Sequence, residues 1–239
     1  MTEYMSSNRP PIHAVRAAYV VACAFAGVAG YVDAHALIRF RVYASFMSGN
    51  TTRAGVEAAS AQFSTAALCG LAIACFVLGA FIGVTVLHSP RRLPGRRVTF
   101  IALGLLVAQA SLDALSASVW LSVALLSAAM GALNSTITQI GGQPVNIGYV
   151  SGGLHKLAEH LALAWLRRPV ESSQRLADTH LRRAALIAGL WGAFLTGAFL
   201  GAYALLCSPH LAMGFPIAAL FAVLISQSPV SGDCRMSES

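Results

Sequence analysis

Phe76-Val77-Leu78-Gly79-Ala80-Phe81-Ile82-Gly83 lies within an apolar run covering about 65–87 that carries no charged residue. A span of bilayer hydrocarbon needs roughly 20 mostly apolar residues, so this run predicts one transmembrane helix. The same pattern returns 118 residues later as Phe194-Leu195-Thr196-Gly197-Ala198-Phe199-Leu200-Gly201, inside a second run covering about 184–206. Both copies hold a Gly-x-x-x-Gly spacing, Gly79 with Gly83 and Gly197 with Gly201. Small residues at that spacing let helix backbones approach closely in lipid, where packing drives association. They are read as helix-packing positions, and their matched places predict that the two spans meet near a common axis.

Working outward, further apolar runs cover about 17–37, 98–114 and 119–140, and a shorter one ends near Ile225. Six runs joined by short connections predict an all-α integral membrane protein with about six transmembrane helices. Composition agrees: hydrophobic residues make up 56% and charged residues 10%. Soluble domains carry about 25% charged residues, and so few charges could not cover a soluble surface. The chain reads as a single polytopic domain over 1–239. The polar residues 229–239 predict a disordered tail.

The formal charge of +7 sits in loops beside the apolar runs, which points to membrane orientation and not to nucleic acid. With six spans and a cytoplasmic N-terminus, the cytoplasmic segments hold thirteen Lys and Arg, and the outer ones hold Arg39, Arg41 and Arg53. This bias predicts that both termini and the Arg91–Arg97 loop are cytoplasmic. Arg9 and Arg16 before an apolar run look like a signal peptide, but that run continues to Leu37 and its end has a partner later in the chain. The five cysteines, Cys23, Cys69, Cys75, Cys207 and Cys234, show no metal spacing and read as small packing residues.

The repeat extends beyond the glycines. Phe46-Met47-Ser48-Gly49 matches Tyr149-Val150-Ser151-Gly152, with Arg53 matching Lys156, and Gly30-x-x-Asp33 matches Gly131-x-x-Asn134. Repeat one covers about 17–118 and repeat two about 119–228. Three spans per repeat is odd, so the second copy enters the membrane the other way round, the plan of many secondary transporters.

Two segments could carry chemistry. Ser48-Gly49-Asn50-Thr51-Thr52-Arg53 and Ser151-Gly152-Gly153-Leu154-His155-Lys156 each combine a glycine break, capping residues and a cation one turn later. One reading makes them half-helix ends that hold a solute at a central cavity, meeting across the pseudo-twofold axis. The other makes them interfacial turns whose cations reach lipid phosphates. Asp33, with His35 two residues on, is an intramembrane carboxylate that faces a cavity or a partner. The candidate solute-binding residues are therefore Asp33, Ser48, Asn50, Arg53, Asn134, Ser151 and Lys156. His155-Lys156-Leu157-Ala158-Glu159-His160 has one residue too many for a zinc motif, and His155 with Glu159 suits an i, i+4 pair on an amphipathic helix reaching Trp165. No metal, cofactor or catalytic residue is expected, and no enzyme. Asn50-x-Thr52 and Asn134-x-Thr136 match the glycosylation pattern but fall in or near the membrane.

Gly30-Tyr31-Val32-Asp33-Ala34 followed by Ser45-Phe46-Met47-Ser48-Gly49-Asn50-Thr51-Thr52, with Gly131-Ala132-Leu133-Asn134 and Tyr149-Val150-Ser151-Gly152 as a second block, resembles the YoaK-like family of bacterial inner-membrane proteins of unknown function. The resemblance covers nearly the whole chain and implies an inner-membrane location. It implies no substrate. The reading that follows is a small secondary transporter or permease for a small polar or anionic solute. A non-transporting scaffold or sensor that binds partner helices is the alternative. Six helices are few for a complete pathway, which favours a homodimer in the lipid bilayer. Cysteines placed singly at Ser89 and Ser237 should resist an impermeant thiol reagent in intact cells and react after permeabilisation. Labelling of both in intact cells would overturn this orientation.

Overall fold

The structure, a computed structural model, describes residues 12–90, 93–115, 118–136, 139–140, 143–144, 150–170 and 179–226. Eight helices are described: α1 Ile12–Phe40, α2 Met47–Ala59, α3 Phe63–Leu87, α4 Pro94–Ala114, α5 Val119–Asn134, α6 Val150–Trp165, α7 His180–Cys207 and α8 Gly214–Ser226. A two-residue antiparallel pair, β1 Gln139–Ile140 with β2 Gln143–Pro144, lies between α5 and α6.

Four helices are long and apolar enough to cross a membrane: Val15–Phe40 within α1, and all of α3, α4 and α7. The remaining two apolar runs form the shorter helices α5 and α8. α5 stops before the end of its apolar run because the hydroxyls of Ser135 and Thr136 bond back to the carbonyls of Ala132 and Leu133. α8 starts late because Ser208–Met213 is spent on a turn. The two stretches read as connections hold helices of their own, α2 and α6, each with a polar face.

Close backbone packing decides the arrangement. α1 packs along α7, and α3 packs along α5. A Cβ at Gly30 would collide with the Phe194 carbonyl, and one at Gly131 would collide with the Phe76 carbonyl. In the same way Gly197 meets the backbone of Gly27, and Gly79 meets the backbone of Ala128. Gly201 rests on Tyr31, and Gly83 on Ala132 and Ser135. The glycines thus seat each span against a different partner from the one expected. α3 and α7 share no close contact among the described residues. Each glycine stripe is used up against α5 or α1, which leaves the other faces of α3 and α7 apolar and exposed, Phe81 and Phe199 among them.

α2 packs along α3, and α6 along α7. α4 and α8 touch each other, α4 also packs on α5, and α8 on α1. The Tyr31 hydroxyl donates to the Ala212 carbonyl, and its ring stacks on Phe215 at 5.4 Å, tying α8 to α1. Phe25, Val32, Leu106, Leu126, Met130 and Leu220 fill the centre.

A side chain forced into such a seam must push two backbones apart, and overpacking of this kind costs about 1–3 kcal/mol or more. Gly79→Val and Gly197→Val should each lower the thermal midpoint of the detergent-purified protein. Gly70→Ala, where a Cβ meets nothing, should leave it unchanged. The loss of monodisperse protein on heating followed by size exclusion reads this directly.

Candidate functional site

α1 ends at Phe40, and the chain then doubles back. Arg41 takes a left-handed φ of 60°, which reverses its direction. By Ser45 it has returned to the level of Asp33, seven residues before the end of α1. The Asp33 carboxylate accepts from the Ser45 N–H at 2.6 Å and from the Ser45 hydroxyl at 2.7 Å. Both residues are buried. α2 starts there and runs outward along α3, so that Arg53 and Glu57 come within electrostatic reach of Cys69. Asn50 lies twelve residues before the Gln62 that opens α3, about 18 Å along the helices at 1.5 Å per residue. That is near the middle of α3. The segment 41–46 therefore doubles back alongside the end of α1.

Irregular backbone at membrane depth must find its hydrogen bonds inside the protein. Asn50, fully buried, supplies them. Its carboxamide oxygen accepts from the Tyr43 N–H at 2.9 Å, and its amide nitrogen donates to the Tyr43 carbonyl at 2.7 Å. The cap of α2 is Phe46, which offers no side-chain bond, so Ser48 and Asn50 lie in the first turn of the helix and do not cap it. Ser48 is exposed. Asp33 and Asn50 are thus committed to the backbone of the returning turn, not aimed at a cavity.

The two cations are also committed. Arg53 pairs with Glu57 at 3.2 Å, and Lys156 pairs with Glu159 at 2.7 Å. The partner of Glu159 is Lys156 and not His155, and its bond holds the carboxyl below the usual carboxylate range. In the second half, Asn134 closes α5 and is half-buried. Residues 145–149, the counterpart of the first return segment, lie outside the described residues, as does the side chain of Ser151. α6 runs along α7 as α2 runs along α3. Gly153 faces Ile187, and His160 Nδ1 meets His180 Nδ1 at 3.0 Å. Burial, and next His180, hold the His160 imidazole below its ordinary pKa. Among the described residues α2 and α6 share no contact. As far as the described residues extend, the two Ser-Gly segments do not meet, and each lies against its own following helix.

Apart from Arg53 Nε and His180 Nε2, the buried polar atoms without partners among the described residues lie elsewhere. His35 on α1 and Gln109 on α4 are both fully buried. Neither ring nitrogen of His35 and neither amide atom of Gln109 has a hydrogen-bond partner among the described residues. The hydroxyl of Ser127 on α5, which packs on both α1 and α4, is in the same position. One turn further along, the Arg39 guanidinium donates to the Asp113 carboxylate at 2.7 Å. Residues four apart share a helix face, so His35 lies below Arg39, and Gln109 lies below Asp113. His35 feels the charges of both members of the ion pair. α1 and α4 make no close backbone approach, so the ion pair bridges a seam between them. Sequence reasoning noticed His35 only as a neighbour of Asp33 and passed over Gln109 altogether. The signal available was a glutamine inside a span-length apolar run.

The model of a family described as "Protein of unknown function (DUF1275)" matches residues 21–226. A similar protein is the UPF0700 transmembrane protein RA0705 of Rhizobium meliloti (strain 1021), 36% identical over 144 residues, which are 60% of each chain. The chain thus spans about 60% of the length of that curated relative. No solved structure matches.

Losing a partner for a buried backbone group costs about 1–3 kcal/mol. Asn50→Leu, which strips both Tyr43 groups, should destabilise the purified protein by that amount or more. Ser45→Ala, which keeps the N–H bond to Asp33, should cost less. Thermal midpoints of the two variants give the order, and an unchanged midpoint in Asn50→Leu contradicts the assignment.

Proposed function

The chain belongs to the DUF1275 family of membrane proteins of unknown function, and from that premise we propose that it is a small permease for a small, uncharged polar solute. The observation that carries this reading is the buried pair His35 and Gln109, unpartnered beneath the Arg39–Asp113 bridge. Polar groups in a protein interior need hydrogen-bond partners, and inside a membrane they are costly enough to mark solute pathways. A neutral imidazole, a carboxamide and the Ser127 hydroxyl can donate to and accept from a polar solute but supply no fixed charge. The cations expected to attract an anion are paired with Glu57 and Glu159, so a neutral solute fits better than an anionic one. The groups suit passage and not catalysis.

An inverted-repeat plan is part of the proposal, with α1–α4 equivalent to α5–α8. It is supported by the exchanged packing, in which α1 on α7 corresponds to α5 on α3, and α8 on α1 to α4 on α5. It is supported again by the glycines, because Gly30 meets Phe194 as Gly131 meets Phe76. The charge bias and the resemblance to YoaK-like proteins support a bacterial inner membrane with both termini cytoplasmic. Arg39 and Asp113 then close the outer end of the path.

A cysteine in place of Gln109 tests the path without knowledge of the solute. It should react with a small water-soluble thiol reagent in membranes. Adding Asp113→Asn should speed the reaction about fivefold, the equivalent of the ~1 kcal/mol of an exposed ion pair. In proteoliposomes, His35→Leu should abolish glycerol or urea flux above the lipid background while the protein still inserts. A Gln109 cysteine that stays inert in both backgrounds would sink the proposal.

A further inference from the structure

Away from the His35–Gln109 seam, where α3 turns into α4, a groove of about 630 Å³ is lined by Val86, Leu93, Arg96, Arg97, Phe100, Ile101 and Leu224. Its walls come from three helices: the end of α3, the first two turns of α4 and the end of α8. Apart from the two arginines, every lining residue is apolar. Arg96 and Arg97 are exposed, and among the described residues neither guanidinium has an ion-pair or hydrogen-bond partner. Arg39, Arg53 and Lys156, by contrast, each pair with a nearby carboxylate. No acidic residue stands in the first turn of α4 to offset the two charges. The positive end of the helix dipole adds to the same potential.

We propose that this groove binds one anionic phospholipid, with its phosphate held between Arg96 and Arg97 and an acyl chain along Phe100, Ile101 and Leu224. Position favours this occupant. The arginines stand at the mouth of the spans, where headgroups lie, and the apolar wall continues along α4 towards hydrocarbon. Guanidinium groups match phosphate oxygens in geometry as well as charge. A juxtamembrane cation near an anionic surface is worth enough to change binding about fivefold, so two together imply roughly 30-fold. A free phosphate would use the arginines and ignore the apolar wall.

Native mass spectrometry of the purified full-length protein tests the site, using phosphatidylglycerol and phosphatidylethanolamine with the same acyl chains. Phosphatidylglycerol should bind roughly 30-fold more tightly than phosphatidylethanolamine, and millimolar inorganic phosphate should not displace it. Arg96→Gln with Arg97→Gln should erase the preference. Arg96→Lys with Arg97→Lys should retain most of it, which separates loss of charge from loss of fold. Arg167→Gln with Arg168→Gln, which removes two exposed arginines at the end of α6, should leave it intact. The proposal is overturned if the two lipids bind alike or if inorganic phosphate competes. It is equally overturned if the Arg96 and Arg97 glutamine variant keeps its preference, or if the Arg167 and Arg168 control loses it.

Discussion

Everything distinctive in this bundle follows from one requirement: a backbone that leaves helical geometry inside a membrane must be hydrogen-bonded by the protein itself. The chain leaves α1 at Phe40 and returns to the level of Asp33 before it resumes a helix. Asp33 meets this requirement at Ser45, and Asn50 meets it at Tyr43. An intramembrane carboxylate usually suggests ion or proton traffic. Here its two oxygens are occupied by one serine, and its first role is architectural.

The second constraint is the contact between backbones at glycine. Helices in lipid gain little from burying apolar side chains against one another, so close approach and packing must hold them. Gly30, Gly79, Gly131 and Gly197 give α1 to α7 and α3 to α5 that approach. Once those two pairs are locked, α4 and α8 can only fill the remaining flanks. The seam between α1 and α4 is a consequence, since neither helix presents a glycine stripe to the other. Side chains bridge the gap instead: the Arg39–Asp113 pair at one end and unsatisfied His35 and Gln109 deeper in. The tight seams hold the helices backbone to backbone, and the loose one holds the unpartnered polar groups.

The two clusters divide the work between structure and candidate function. Where polar groups are saturated, at Asp33 and Asn50, they fix the chain. Where they are not, at His35, Gln109 and Ser127, they leave hydrogen-bonding capacity that lipid cannot meet. Asp33 and His35 sit in the same apolar run, and residue type does not tell the two kinds apart.

The sequence by itself determined the membrane class, the places of the apolar helices and four of the packing glycines, Gly79, Gly83, Gly197 and Gly201, but not Gly30 and Gly131. These depend on local composition and on spacing along one helix, which hydrocarbon length and backbone geometry fix in advance. It also singled out Asp33, as a carboxylate inside an apolar run, and Asn50, as part of the Ser48–Arg53 segment. Only the tertiary structure decided which helix each glycine seats against, since a small residue permits close approach without naming the partner. Only the tertiary structure showed that Asn50 reaches back to Tyr43 and that Arg53 and Lys156 are neutralised in place. Whether a polar side chain is satisfied or left wanting depends on atoms far away in the chain. For that reason His35 and Gln109, 74 residues apart, became a candidate site only when the Arg39–Asp113 bridge set their helices side by side.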